Sequence, residues 1–216
     1  MNCLICQAKA LTPSINFQAL ITLKSNPSYL CLTCKNTFIK IGVDHCPRCY
    51  KSGEKEICQD CQEWERKGII INHQAIFKYN DSMQQFFSRY KFMGDYQLHQ
   101  VFKSYFKFKK EFTIVPIPLS PERYQERGFN QVAAFMEKLP LQHLLTKKES
   151  QPQSSLTREE RLTHTNPFQI KENSSIPEKK IIVVDDIYTT GATLVHACKT
   201  LKEAGCNTIK TFSLCR

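Results

Sequence analysis

No run of this chain is apolar for long enough to cross a bilayer. The longest, Ile69 to Ile71 and Ile181 to Val184, fall far short of the roughly 20 residues that a spanning helix needs, so no membrane insertion is expected. The opening MNCLICQAKA lacks the apolar stretch of a secretory signal, which points to a reducing cytoplasm. Low-complexity tracts are missing too, and 41% hydrophobic residues suffice for a packed core. The 216 residues therefore suit one ordinary domain with a smaller attachment. Acidic residues are in deficit, 20 against 30 basic ones, and the formal charge of +10 favours an anionic partner.

Cysteine, in contrast, is abundant. Eight of the eleven cysteines fall in the first 61 residues, as four CxxC pairs: Cys3 with Cys6, Cys31 with Cys34, Cys46 with Cys49, and Cys58 with Cys61. In a reducing compartment such pairs are metal ligands before they are disulfides. Each CxxC turn aims two sulfurs at one point, and a second pair completes a tetrahedral thiolate cage for Zn2+. Sequential pairing gives two sites, Cys3/Cys6/Cys31/Cys34 and Cys46/Cys49/Cys58/Cys61, and spacing leaves an interleaved pairing open. A thioredoxin-like redox site would need one such motif opening a helix after a strand, and this segment is poor in strands. Four thiolates leave no open coordination position, so the metal is structural. Cys198, Cys206 and Cys215 are scattered among apolar residues and read as small core side chains.

Two regions follow, a zinc-ribbon-like region over 1–66 and an α/β domain over 67–216. Residues 67–216 carry 22 basic against 14 acidic residues, so +8 of the charge lies there. Two zinc ions on eight thiolates would leave the first region slightly negative. In the second region IIINHQAIFKY (69–79) has strand character. Asn80 or Asp81 can cap a helix with Met83, Phe86, Phe87 and Tyr90 on one face. Gly94-Asp95 breaks it, and a second helix follows with Leu98, Val101, Phe102 and Tyr105 at the same spacing. FTIVPIP (112–118) is a short strand, FNQVAAFMEKL (129–139) a helix, and LQHLL (141–145) a further short strand. Residues 146–167 form a long polar loop of the kind that carries function. A strand over 181–185, a helix from near Ala192 to Gly205 and a last strand through TIKTFSL complete a parallel sheet.

The sequence IIVVDDIYTTGAT (181–193) holds the chemistry. A buried strand ends on Asp185 and Asp186, two like charges that need a cation or hydrogen-bond donors beside them. Vicinal sugar hydroxyls supply donors and Mg2+ supplies charge. The turn that follows offers backbone N–H groups and three threonine hydroxyls at a helix start, a nest for a phosphate. Gly191 permits close approach or positive φ. The Gly-Lys-Ser/Thr ending of a Walker A loop is missing. Carboxylates beside a phosphate nest describe a ribose-phosphate site; the plain alternative is a capped strand-to-helix turn.

This stretch resembles the PRPP-binding motif of type I phosphoribosyltransferases. Together with VPIPLSPERYQERGFNQ (115–131), SLTREERLTHTNPF (155–168) and the CxxC pairs, it makes nearly the whole chain similar to the ComFC competence-protein family, which has GntX-like relatives. The resemblance implies a Rossmann-like type I phosphoribosyltransferase domain behind a small zinc domain. It implies that Asp185 and Asp186 are the catalytic carboxylates against the ribose. Tyr188, Thr189, Thr190, Gly191, Ala192 and Thr193 would hold the 5′-phosphate of PRPP. Arg123 and Arg127, with Asn130 and Gln131, would lie near the diphosphate, and Arg158 and Arg161 on a loop closing over PRPP with its Mg2+. Each arginine has a plainer reading as a solvated charge.

Three functions stay open: a phosphoribosyltransferase with an unidentified acceptor, a handler of imported single-stranded DNA in natural transformation, and a zinc-ribbon adaptor for a ComFA-type helicase ATPase. Glutamine-dependent chemistry is disfavoured, because the chain begins Met-Asn-Cys and Cys3 is already a ligand. Basic and aromatic residues interleave in FFSRYKF and YFKFKK, which suits base stacking. Phe86, Phe87, Tyr90, Phe102 and Tyr105 fit a core face at least as well.

Overall fold

A computed structural model describes residues 2–9, 29–148, 166–177 and 180–216. In chain order the elements are α1 (Leu32–Thr37), α2 (Gln59–Arg66), β1 (His73–Phe77), α3 (Asp81–Phe92), α4 (His99–Phe102), β2 (Phe112–Pro116), α5 (Pro121–Arg127), α6 (Gln131–Phe135), β3 (Leu145–Lys147), β4 (Phe168–Ile170), β5 (Lys180–Ile187), α7 (Ala192–Glu203) and β6 (Ile209–Cys215). Strands β1, β6, β5 and β2 form one sheet in that order, and every pair in it is parallel. Strands β3 and β4 pair separately and antiparallel. Among the described residues no helix is long and apolar enough to cross a membrane.

β5 is central because its sequence can be buried on both faces, as parallel sheets require. Ile181 and Val183 face one core, Ile182 and Val184 the other. Register follows from the same alternation: Val183 lies between Val115 of β2 and Thr211 of β6. One core is aromatic, with Phe86 against Phe102 at 4.8 Å and Phe106 stacked on Phe135 at 4.8 Å. The other joins Val115, Val183, Leu194 and Leu201 to Trp64 and to Cys46, Cys49, Cys58 and Cys61. The Cys-rich region and the sheet thus share a core.

Phe86, Phe87, Tyr90 and Phe102 are buried in the aromatic core and Tyr105 is packed against it, so the core reading holds and they offer no stacking face. Asn80 caps α3, its Oδ1 accepting the Met83 N–H at 3.1 Å. The helix expected after Gly94-Asp95 is only one turn of α4, flanked by 3₁₀ turns at Tyr96–Leu98 and Lys103–Tyr105. LQHLL contributes only Leu145 to β3, although Leu141 bridges to Ile114. Of the long polar loop, 149–165 lies outside the described residues, while its first residues form β3. Helix α5 was not anticipated. Ser120 caps it, Pro121 occupies its first turn, and Gly128 ends it at φ 74°.

Truncating Phe86 to Ala removes a ring that touches Phe38, Phe87, Tyr90, Phe102 and Phe135. Guanidinium unfolding is expected to show a loss of ~3–5 kcal/mol, the range for a large aromatic lost from a core.

Candidate functional site

A cleft of about 680 Å³ opens at the carboxyl ends of β2 and β5, where ligands collect in open parallel sheets. Four elements bring charge to it. The end of β5 brings Asp185 and Asp186, α3 brings Lys91, α5 brings Arg123 and Arg127, and β3 brings Lys147. Four cations thus face two carboxylates, an excess suited to a polyanion.

The carboxylates are buried, 9% and 8% exposed, and their compensation is visible. The Asp185 carboxylate accepts the Asp186 backbone N–H at 2.8 Å. Lys91 Nζ lies 2.8 Å from Asp186 Oδ2. Burial, and then the Asp186 charge, push the Asp185 carboxyl up to about 7, against the pull of Lys91 and Lys147. Burial pushes the Lys147 ammonium and the Arg127 guanidinium down from their ordinary values.

Arg127 donates from Nη1 to Gln131 Oε1 at 2.8 Å and lies 5.7 Å from the centre of the Phe92 ring. Its buried Nε–H finds no acceptor among the described residues. Arg123 pairs with Glu126 at 2.7 Å. Asn130 is spent on structure: its Oδ1 accepts the Val132 and Ala133 N–H groups, and its Nδ2 donates to Ile117 O at 2.9 Å. It thereby ties α6 to the loop after β2. Arg158 and Arg161 lie outside the described residues.

The turn after β5 divides by side. Thr189 and Thr193 line the cleft, while Tyr188, Thr190 and Ala192 are buried. Gly191 has φ 85°, and a Cβ there would collide with the Tyr188 hydroxyl. The Tyr188 ring packs against His73 at 4.3 Å and under the Arg216 guanidinium at 4.7 Å, so it supports the turn rather than lining the cleft. Trp64 Nε1 donates to Thr190 O at 2.9 Å, and Arg216 Nη1 to Thr189 O at 3.0 Å. Sequence reading missed Lys91, Lys147, Trp64 and Arg216, because each reaches the site only through tertiary contacts.

The eight N-terminal cysteines gather as Cys3/Cys6/Cys31/Cys34 and Cys46/Cys49/Cys58/Cys61, each set with its sulfurs within 4.8 Å of one another. This is the sequential pairing, and the interleaved one is not realised. Zn–S bonds of ~2.3 Å in a tetrahedron put sulfurs about 3.8 Å apart. Cys6 and Cys31 lie 3.7 Å apart, Cys49 and Cys58 3.5 Å, and Cys46 and Cys61 3.9 Å. Both sets could therefore hold a metal ion in a closed cage. Backbone N–H groups point at the sulfurs, Cys34 to Cys31 and Cys58 to Cys46, each at 3.4 Å. Arg89 anchors the first knuckle through the carbonyls of Leu4 and Ile5 at 3.1 and 2.9 Å.

The raised pKa of Asp185 makes stability pH-dependent. Between pH ~4 and ~7 the folded chain keeps a proton that the unfolded chain has released, so stability is lost as pH rises through about 7. Asp185→Asn keeps the acceptor oxygen and removes the titration. Unfolding titrations should show equal pH dependence below pH 4 and a variant more stable by roughly 2–4 kcal/mol at pH 8. Parallel profiles across that window would contradict the assignment.

A Phosphoribosyl transferase domain family model matches residues 119–216, which include α5, β5, the turn and Arg216. Competence protein ComFC of Streptococcus pneumoniae is 46% identical over 222 residues, covering 100% of both chains. Competence protein ComFC of Bacillus subtilis is 35% identical over 229 residues, covering 99% of this chain and 94% of that protein. Competence protein F of Haemophilus influenzae is 24% identical over 195 residues, covering 81% and 79%. With full-length identity at this level joined to an α/β phosphoribosyltransferase domain and two four-cysteine groups, the chain belongs to the ComFC competence-protein family.

Proposed function

We propose that the cleft binds PRPP and that the chain serves natural transformation in the cytoplasm, handling imported single-stranded DNA. The observation that carries the ligand is the buried Asp185-Asp186 pair, flanked by four cations and continuous with the Gly191 turn. In this reading the carboxylates accept hydrogen bonds from the ribose hydroxyls. The turn from Thr189 to Thr193 takes the 5′-phosphate, and Arg123, Arg127 and Lys147 face the pyrophosphate. Asp185 and Asp186 would also help to hold Mg2+, which would supply charge neutralisation on the pyrophosphate leaving group. Lys91, held by Asp186 at 2.8 Å, would turn toward a phosphate oxygen on binding, its ammonium having three donors to share. Both four-cysteine groups take Zn2+, whose preference for tetrahedral thiolates they satisfy, and residues 1–66 and 67–216 act as a zinc module and a catalytic-type module.

The DNA reading draws on the family and on the rim of the cleft. Phe92, Tyr124 and Tyr79 are exposed large aromatics, and Phe92 and Tyr79 line the cleft beside Lys91, Arg123 and Arg127. Bases of an unpaired strand can stack there while the cations meet its phosphates. A helicase-like ATPase of the ComFA type is the expected protein partner, docking on the Cys-rich region, whose charge with zinc bound is slightly negative.

Calorimetry should detect Mg2+-PRPP binding to the zinc-loaded chain, weakened at least tenfold in a variant carrying Asp185→Ala and Asp186→Ala. A folded, metal-replete wild type that releases no heat with PRPP would overturn the ligand assignment. For DNA, fluorescence anisotropy with a labelled single strand should lose affinity steeply between roughly 50 and 200 mM salt, as phosphate contacts require. Phe92→Ala should weaken binding at both salts alike; if it has no effect, the rim is not the stacking surface.

A further inference from the structure

The phosphate turn is held from behind, by donors whose own anchors lie in the Cys-rich region. Two successive carbonyls, Thr189 O and Thr190 O, accept from Arg216 Nη1 at 3.0 Å and Trp64 Nε1 at 2.9 Å. The peptide bonds of the described residues are all trans, so each of these C=O groups points opposite to the N–H of the next residue. Fixing the carbonyls of Thr189 and Thr190 toward the Cys-rich region therefore turns the N–H groups of Thr190 and Gly191 the other way. That leaves those amides free of the carbonyl side and available to an anion bound by this turn.

Both donors are themselves fixed. Trp64 is 2% exposed and lies on α2, three residues beyond Cys61. Arg216 donates from Nε to Cys49 Sγ at 3.1 Å and from Nη2 to Asp60 Oδ2 at 3.2 Å, and its side chain is 8% exposed. Its backbone is laced to the end of β1 and the residues just beyond: Arg216 N–H to Phe77 O at 2.9 Å, and Tyr79 N–H to Arg216 O at 3.0 Å. A cysteine in a metal cage is a thiolate, and a hydrogen bond from a guanidinium to a thiolate is charge-assisted at both ends.

We infer that Trp64 and Arg216 are positioning residues for the 5′-phosphate subsite, and that the second four-cysteine group aligns the turn through Cys49 and Asp60. This rests on the reading that the turn from Thr189 to Thr193 takes a 5′-phosphate. It gives the Cys-rich region a role in the ligand site beyond stapling a small segment.

The test uses the full chain with both metals, as wild type, Trp64→Phe and Arg216→Lys. The first keeps an aromatic ring and loses the N–H; the second keeps the charge and loses the three-way fork. Ribose 5-phosphate and Mg2+-pyrophosphate are titrated calorimetrically, and amide exchange is followed over residues 187–193. Each variant should lose at least tenfold in ribose 5-phosphate affinity and hold pyrophosphate affinity within twofold. Exchange of the turn should quicken, with metal content unchanged. Equal losses for the two probes would mean a general structural effect and overturn the inference, as would unchanged exchange and unchanged ribose 5-phosphate affinity. If wild type binds neither probe, the ligand reading fails, and the exchange result alone decides whether these residues set the turn.

Discussion

Burying two adjacent carboxylates at the end of a central strand is costly unless the rest of the chain supplies charge. Asp185 and Asp186 cannot move out to water, because the residues before them are locked between β2 and β6. Compensation must come to them, and it comes from separate parts of the chain: Lys91 from α3, Arg123 and Arg127 from α5, Lys147 from the β3–β4 pair. The site is therefore a property of the assembled fold, and each flanking element is placed by its own local device. Asn80 and Ser120 start their helices, and Asn130 draws α6 onto the loop after β2. More positive than negative charge remains around the pair, and that surplus is what a phosphorylated ligand would meet.

The Cys-rich region depends on the same arrangement. A segment this small cannot build a large core of its own, and metal cages are the usual remedy. Yet the second four-cysteine group packs into the core on one face of the sheet, and Trp64 reaches through to the turn. The first group is tied to α3 by Arg89, two residues before Lys91. Each group thus touches one wall of the cleft.

Much of this was legible in the sequence where one local pattern sufficed. β5 was readable because a buried parallel strand must be apolar on both faces, and the two aspartates broke that pattern at its end. Four pairs of one internal spacing, CxxC, marked the ligand set, but their grouping depends on how distant segments fold together. Helix α5 carried its own signals, Ser120-Pro121 at the start and Gly128 at the end, but the family resemblance assigned the segment between them to diphosphate contacts rather than to a helix. Lys91, Lys147, Trp64 and Arg216 gave no signal, since a lone lysine, tryptophan or arginine acquires its role only from what the fold sets beside it. The aromatic residues of FFSRYKF show the reverse: helical spacing outweighed their resemblance to a stacking surface, and of its four aromatics Phe92 alone is exposed.

The central claim is that the carboxylate pair and the Gly191 turn together form one ribose-phosphate site. A crystal structure of the metal-loaded chain with Mg2+-PRPP tests it most directly. The account predicts ribose hydroxyls on Asp185 and Asp186, the 5′-phosphate against the amides and hydroxyls of Thr189 to Thr193, and Lys91 drawn off Asp186. A phosphate seated elsewhere, with the Lys91–Asp186 pair intact, would contradict it.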